Sequence, residues 1–242
     1  MQRKPVTVME SLLQQGMSRR GFLKVCALAA SALALPPAEA GKIARALANT
    51  PRPRVVWLHF QECTACTEAL TRAFDPTLEH LLLDLISLEY HETLMVAAGS
   101  EARELLHDAT DSPGYILVVE GSLSHRDGWC TIAGENSIED LENYASHAAL
   151  VIAVGSCAAY GGLPGAVPNP SHAVSVGELM AAGEIHAQAL VNLPGCPPVP
   201  EVMTGTIIHY LSYGTLPELD ELARPLPFYG RTVHHRCPRK AS

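Results

Sequence analysis

Short apolar runs alternating with longer stretches of helical character constrain this 242-residue chain more than any other feature. The runs are Arg54 to Phe60, a segment within Leu81 to Tyr90, Gly114 to Glu120, Ala149 to Val154 and Ala189 to Leu193. Residues 99–109, 136–147 and 175–184, lying between them, have helical character. Near-continuous apolar strands separated by helices predict an α/β fold, a parallel sheet covered on both faces. In such a sheet every strand ends on the same edge, where doubly wound folds hold their ligands.

The cysteines fall on that edge. Cys63 and Cys66 follow the first run, Cys157 follows Val154, and Cys196 follows Leu193. Four thiols from three loops can therefore meet at one point. Thiolates without histidine or carboxylate suit zinc or an iron–sulfur cluster. One C-x-x-C pair plus two solitary cysteines favours the cluster, since structural zinc usually takes two such pairs. Gly155, Gly161, Gly162 and Gly195 flank the thiols and let backbone approach closely. The competing reading makes Cys157 and Cys196 small buried apolar residues.

With 48% apolar residues the chain has ample material for a core. A net charge of −8 without a basic stripe excludes nucleic acid as a partner class. Seven widely spaced cysteines do not resemble the dense disulfides of a small secreted scaffold.

Residues 1–40 read as an export address. Ser18-Arg19-Arg20-Gly21-Phe22-Leu23-Lys24 precedes an apolar run, Val25 to Leu35, and then Pro36-Pro37-Ala38-Glu39-Ala40. The basic segment, short apolar stretch and small-x-small site mark a signal peptide rather than a membrane span. The paired arginines look like a twin-arginine signal, which serves proteins folded before export. An ordinary secretory signal or an amphipathic N-terminal helix is the plainer alternative. Cleavage after Ala40 would remove Cys26, and Ala46-Leu47-Ala48 offers a second site. Residues 41–53 are expected to be a linker, with a polar stretch from Asn49 to Pro53.

Several motifs in order resemble the small subunits of nickel–iron hydrogenases. They are Glu62-Cys63-Thr64-Ala65-Cys66-Thr67-Glu68, His91-Glu92-Thr93-Leu94-Met95, Val119-Glu120-Gly121 and Gly155-Ser156-Cys157-Ala158. Pro168-Asn169-Pro170, Gly195-Cys196-Pro197-Pro198-Val199-Pro200-Glu201, Phe228-Tyr229 and His234-His235-Arg236-Cys237 continue the series. The resemblance runs from about Val55 to Arg239.

It implies a flavodoxin-like domain over residues 54–225 and the start of a C-terminal iron–sulfur domain over 226–242. It also implies a proximal 4Fe-4S cluster held by Cys63, Cys66, Cys157 and Cys196, with Glu62 and Glu120 nearby. Glu120 could instead be a solvated carboxylate at a strand end. Ala65 and Gly162 occupy the positions of the two extra cysteines found in some oxygen-tolerant relatives, so a modified cluster is not expected. His234 and Cys237 match the first two ligands of a distal 4Fe-4S cluster, with His235 as the neighbouring candidate. The distal cluster and a medial 3Fe-4S cluster are not expected to be completed by this chain alone. Cys130 is expected to pack near a partner interface, and His125 and His147 to be surface residues.

The implied function is an electron relay for hydrogen oxidation. Its implied partners are a nickel–iron large subunit, the twin-arginine export machinery and a membrane cytochrome or other acceptor, in a periplasmic setting. The alternatives are a respiratory complex I cluster subunit, a secreted zinc- or disulfide-containing binding protein, and a truncated inactive fragment.

Overall fold

Near-continuous burial along the central strands explains the layering, because a strand buried on both faces needs a cover on each. The computed structural model describes residues 7–14, 17–32, 35–49, 51–74, 76–237 and 239. Its centre is a five-stranded sheet of Arg54–His59 (β1), Ser87–His91 (β2), Ile116–Glu120 (β3), Leu150–Val154 (β4) and Leu190–Leu193 (β5). All neighbours are parallel and the spatial order is β2-β1-β3-β4-β5. That order is one of the two common doubly wound arrangements, the flavodoxin-like one. The expected fold class is therefore the observed one.

Successive side chains point to opposite faces, so each central strand feeds two cores. Val55, Trp57, Ile116, Val118 and Ile152 pack on one face. Val56, Leu58, Leu117, Val119, Val151 and Ala153 pack on the other. The second face is covered by Gly99–Thr110 (through Leu106), Ser137–Ala145 (Leu141, Tyr144) and Val176–Ala182 (Val176, Leu179). The last of these starts with a capping box, Ser175 with Glu178, and ends at Gly183 in the left-handed region. The first face is covered by Pro200–Tyr213, whose Met203, Ile207 and Leu211 are buried.

One expectation needs correction. The expected linker, residues 41–53, is helical over most of its length: Ala40–Asn49 is a helix with Ile43, Ala44 and Leu47 buried. The spacing of those three is one helical face, which packs with Pro200–Tyr213. The export-signal region also has structure. Arg19–Ala32 is a helix that buries Phe22, Cys26 and Ala30 in the same core, while Arg19 and Arg20 stay exposed. Cys26 is fully buried, and burial pushes its thiol up to about 11. Within Leu81 to Tyr90 the strand begins only at Ser87, because Leu81–Leu85 forms a wide helical turn. Among the described residues no helix is long and apolar enough to cross a membrane.

Leu117 is fully buried in the middle of β3, which is the centre of the sheet. Leu117→Ala should cost about 3 kcal/mol of stability, the usual result of a large-to-small change in a packed core. A urea unfolding midpoint unchanged from wild type would contradict this placement of the core.

Candidate metal centre

Parallel register brings the strand ends together. His59 pairs with Glu120, Glu120 with Val154, and Val154 with Leu193. The chain then leaves each strand on the same edge. After β1 it turns through Thr64, whose φ of 61° lies in the left-handed region, into the helix Ala65–Leu70 that carries Cys66. After β4, Gly155–Tyr160 carries Cys157 in its first turn. After β5 come Pro194, Gly195 and Cys196. The last two loops are tied by Ser156 N–H to the Gly195 carbonyl at 2.8 Å and Gly195 N–H to Ser156 Oγ at 3.2 Å.

Cys63, Cys66, Cys157 and Cys196 line one pocket with Glu62, Glu120 and Pro197. Cys63 and Cys196 are exposed and the other two half-buried, so the pocket opens on the protein surface. Backbone fits tightly around the sulfurs. A Cβ on Gly155 (φ 85°) would stand 2.5 Å from Cys66 Sγ, and one on Gly162 (φ 56°) 2.6 Å from Cys157 Sγ. Neither position can carry a side chain while its neighbouring thiol keeps its place.

The donor set decides between zinc and a larger group. Among the described residues, His59, Glu62 and Glu120 are the one trio of metal-binding side chains whose ligand atoms lie within 4.8 Å of one another. The pocket's donors are four thiols from three loops, one C-x-x-C pair and two solitary cysteines, with no histidine lining the pocket. That donor set fits a multi-iron core. Burial, then Glu120 and the other thiols, hold the Cys66 thiol well above its ordinary value. Burial raises Cys157 too, partly opposed by the Leu163 N–H. Such thiols ionise together only around a strongly cationic core.

Behind the thiols sits Glu120, which is 1% exposed, so it is not a solvated carboxylate. Its Oε1 accepts the backbone N–H groups of Cys66 (3.1 Å) and Thr67 (3.3 Å). Its Oε2 accepts Trp57 Nε1–H (3.1 Å) and the Thr67 hydroxyl (2.6 Å). Four donors saturate the carboxylate, which makes it a poor metal ligand in the trio with His59 and Glu62. They also fix the start of the Cys66 helix to the end of β3.

Sequence reasoning missed the rest of this network. His59 Nδ1 lies 3.4 Å from Glu62 Oε1 and 3.9 Å from Glu120 Oε2. His91, fully buried, approaches the Thr67 hydroxyl at 3.4 Å and accepts the Thr93 N–H at 3.3 Å. Burial and then the nearby His59 press the His91 imidazole down to about 3. The signal that could have found them is their place at strand ends in a parallel sheet. His234 and His235 are exposed and Cys237 is half-buried on the last described turn, Val233–Arg236, and none lines the thiol pocket. Cys130 stands in a neighbouring cleft with His59, Glu62 and Glu92, and burial raises its thiol. His125, expected to be a plain surface residue, pairs with Glu184 at 2.9 Å. All seven cysteines are free thiols, which leaves a disulfide scaffold without support.

Comparison with known proteins gives a consistent result. The family described as NADH ubiquinone oxidoreductase, 20 Kd subunit, matches residues 63–210. The periplasmic NiFe hydrogenase small subunit of Solidesulfovibrio fructosivorans is 48% identical over 94% of this chain and 71% of its own length. The periplasmic NiFe hydrogenase small subunit 1 of Nitratidesulfovibrio vulgaris is 43% identical over 95% of this chain and 73% of its own. Among solved structures, the reduced, active Ni-Fe-Se hydrogenase from Desulfomicrobium baculatum superposes with a TM-score of 0.73 at 35% identity. It covers 77% of this chain and 74% of that one. The complex I alternative shares the family description, but the full-length relatives carry hydrogenase names.

Two outcomes follow from the network. Glu120→Ala should destabilise the chain by about 3 kcal/mol, because four buried donors lose their acceptor, and Glu120→Gln should cost less. Equal urea midpoints for Glu120→Ala and wild type would rule out the clamp. An unfolded histidine titrates near 6.5, whereas folded His91 does so at about 3. Between those values the unfolded chain binds a proton that the folded chain refuses. Stability is full above the unfolded value and falls with acidification, by at most about 1.4 kcal/mol per pH unit. His91→Gln should flatten the urea midpoint between pH 6.5 and 4.5, and an unchanged slope would assign the acid sensitivity elsewhere.

Proposed function

This chain belongs to the family of NiFe hydrogenase small subunits, and on that premise we propose that it holds a proximal 4Fe-4S cluster through Cys63, Cys66, Cys157 and Cys196. The observation that carries this reading is the meeting of four thiols from three loops in one pocket on the sheet edge. One C-x-x-C pair with two solitary cysteines, where structural zinc usually takes two such pairs, supports it further. When bound, such a cluster supplies one-electron transfer between the large subunit's nickel–iron centre and a downstream acceptor.

The chain's own residues define what that group would meet. Cys63 and Cys196 present the exposed side of the pocket to the large subunit, so that electrons cross a short gap. Glu120 keeps a buried negative charge directly behind Cys66, and neighbouring charge and hydrogen bonding are what tune a cluster's potential. Gly155 and Gly162 leave room for the sulfurs and nothing more. With Ala65 and Gly162 in place of further thiols, the pocket suits an unmodified cluster.

Three finer assignments belong to the same proposal. The Arg19-Arg20 segment directs export by the twin-arginine route to the periplasm, which the periplasmic relatives support. His234 and Cys237 serve as ligands of a separate, distal cluster rather than of the pocket. Electrons pass onward to a cytochrome or another membrane-linked acceptor, in the direction of hydrogen uptake.

The test is iron, acid-labile sulfide and electron paramagnetic resonance on the chain coexpressed anaerobically with its large subunit. Wild type should carry at least about four cluster irons beyond those of the partner's own centre. Cys157→Ala should lose the cluster signal and hydrogen-dependent dye reduction together. Unchanged iron and activity in that variant would sink the ligand assignment.

A further inference from the structure

Phe228-Tyr229 does not line the thiol pocket, yet its tyrosine reaches a loop that carries one of the thiols. Cys66 and Cys157 ride on helices. Cys196 instead is exposed on the loop that leaves β5, a strand at the edge of the sheet. An edge strand has backbone donors and acceptors that no neighbouring strand pairs. Here a strap following Pro200–Tyr213 takes that place. Asn192, in β5, donates its backbone N–H to the Ala223 carbonyl at 2.8 Å and its Nδ2–H to the Leu222 carbonyl at 2.9 Å. The strap is stiffened by Asp220, which accepts the N–H groups of Leu222 (3.0 Å) and Arg224 (2.9 Å) and pairs with the Arg224 guanidinium.

The chain returns from the strap through the single turn Leu226–Tyr229. There the Tyr229 hydroxyl donates to the Pro194 carbonyl at 2.8 Å. The other end of the same peptide unit is also held, because Gly195 N–H donates to Ser156 Oγ at 3.2 Å. One peptide plane, directly before Cys196, is thus gripped from two sides, by Tyr229 and by the residue next to Cys157. Burial holds the Tyr229 hydroxyl protonated beyond the ordinary phenol range, so it stays a donor. The Arg224 guanidinium, 5.7 Å from the ring centroid, packs the ring in place. Glycine would otherwise leave this loop free to turn. We propose, on the cluster reading given above, that Tyr229 is a positioning residue for the cluster, its hydroxyl fixing the Pro194–Gly195 peptide and with it the direction of the Cys196 sulfur.

The test uses the anaerobically purified complex with its large subunit. It reads iron content, the electron paramagnetic resonance of the reduced cluster, and the rate of cluster iron release to a chelator. Tyr229→Phe keeps the ring and removes the hydroxyl. It should retain wild-type iron as isolated, release it about fivefold faster and shift the cluster's spectrum, since one lost hydrogen bond lets a thiolate ligand turn. Ser156→Ala, which removes the grip on the other end, should act in the same direction. The control Tyr210→Phe, on Pro200–Tyr213 and outside the pocket, should match wild type in all three readouts. Should Tyr229→Phe fail to assemble, Ser156→Ala decides by the same readouts. A wild-type spectrum in Tyr229→Phe with full iron would overturn the positioning role, whatever the release rate, and leave the cluster reading intact. A wild-type complex without cluster iron would overturn the cluster reading, and the positioning role with it.

Discussion

In-register parallel pairing is the constraint from which the rest of this molecule follows. Five strands run the same way and four of them finish level, with His59, Glu120, Val154 and Leu193 forming a row across the sheet. No antiparallel arrangement could do this, because alternate strands would then end on opposite edges. The row turns residues more than a hundred positions apart in sequence into neighbours. Cys63 and Cys196 are separated by most of a domain in the chain and by one pocket in space.

Glu120 converts that alignment into a rigid site. A carboxylate at the end of a central strand would ordinarily face water. Here it accepts four hydrogen bonds, three of them from the opening turn of the helix that carries Cys66. The helix spans only Ala65–Leu70, too short to be held by its own propensity. Its position comes from the carboxylate and from burial of Ala69 and Leu70. Removing the charge would loosen the Cys66 thiol as well as a hydrogen-bond network.

Much of this was legible in the sequence, for a physical reason. Buried parallel strands must be apolar on both faces, so each appears as a continuous run that needs no periodicity to find. The cysteines stood directly after those runs, and the convergence of four thiols followed from the strand direction alone. What could not be read has a common cause. His59, His91 and Glu92 become chemically connected only through strand pairing and a short loop, and their spacing in the chain carries no trace of it. Residues 41–53, expected to be a linker, hold Ile43, Ala44 and Leu47 at helical spacing within Ala40–Asn49. Its small residues bury little individually and gain their place by packing against Pro200–Tyr213. Leu81–Leu85 shows the opposite ambiguity, since a short run of leucines serves a helix or a strand equally well.

The edge that gathers the thiols also gathers negative charge. Glu62, Glu92 and Glu120 lie beside four sulfurs, and burial opposes the ionisation of two of them, Cys66 and Cys157. Four thiolates gathered beside these carboxylates would repel one another without a compensating cation, because the self-repulsion acts against the folded chain. On the proposed reading the iron core supplies that cation at the sulfurs, while His59 faces Glu62 and Glu120 behind them. Holding the cluster and balancing the charge of the sheet edge are then one electrostatic problem, solved where the strands end.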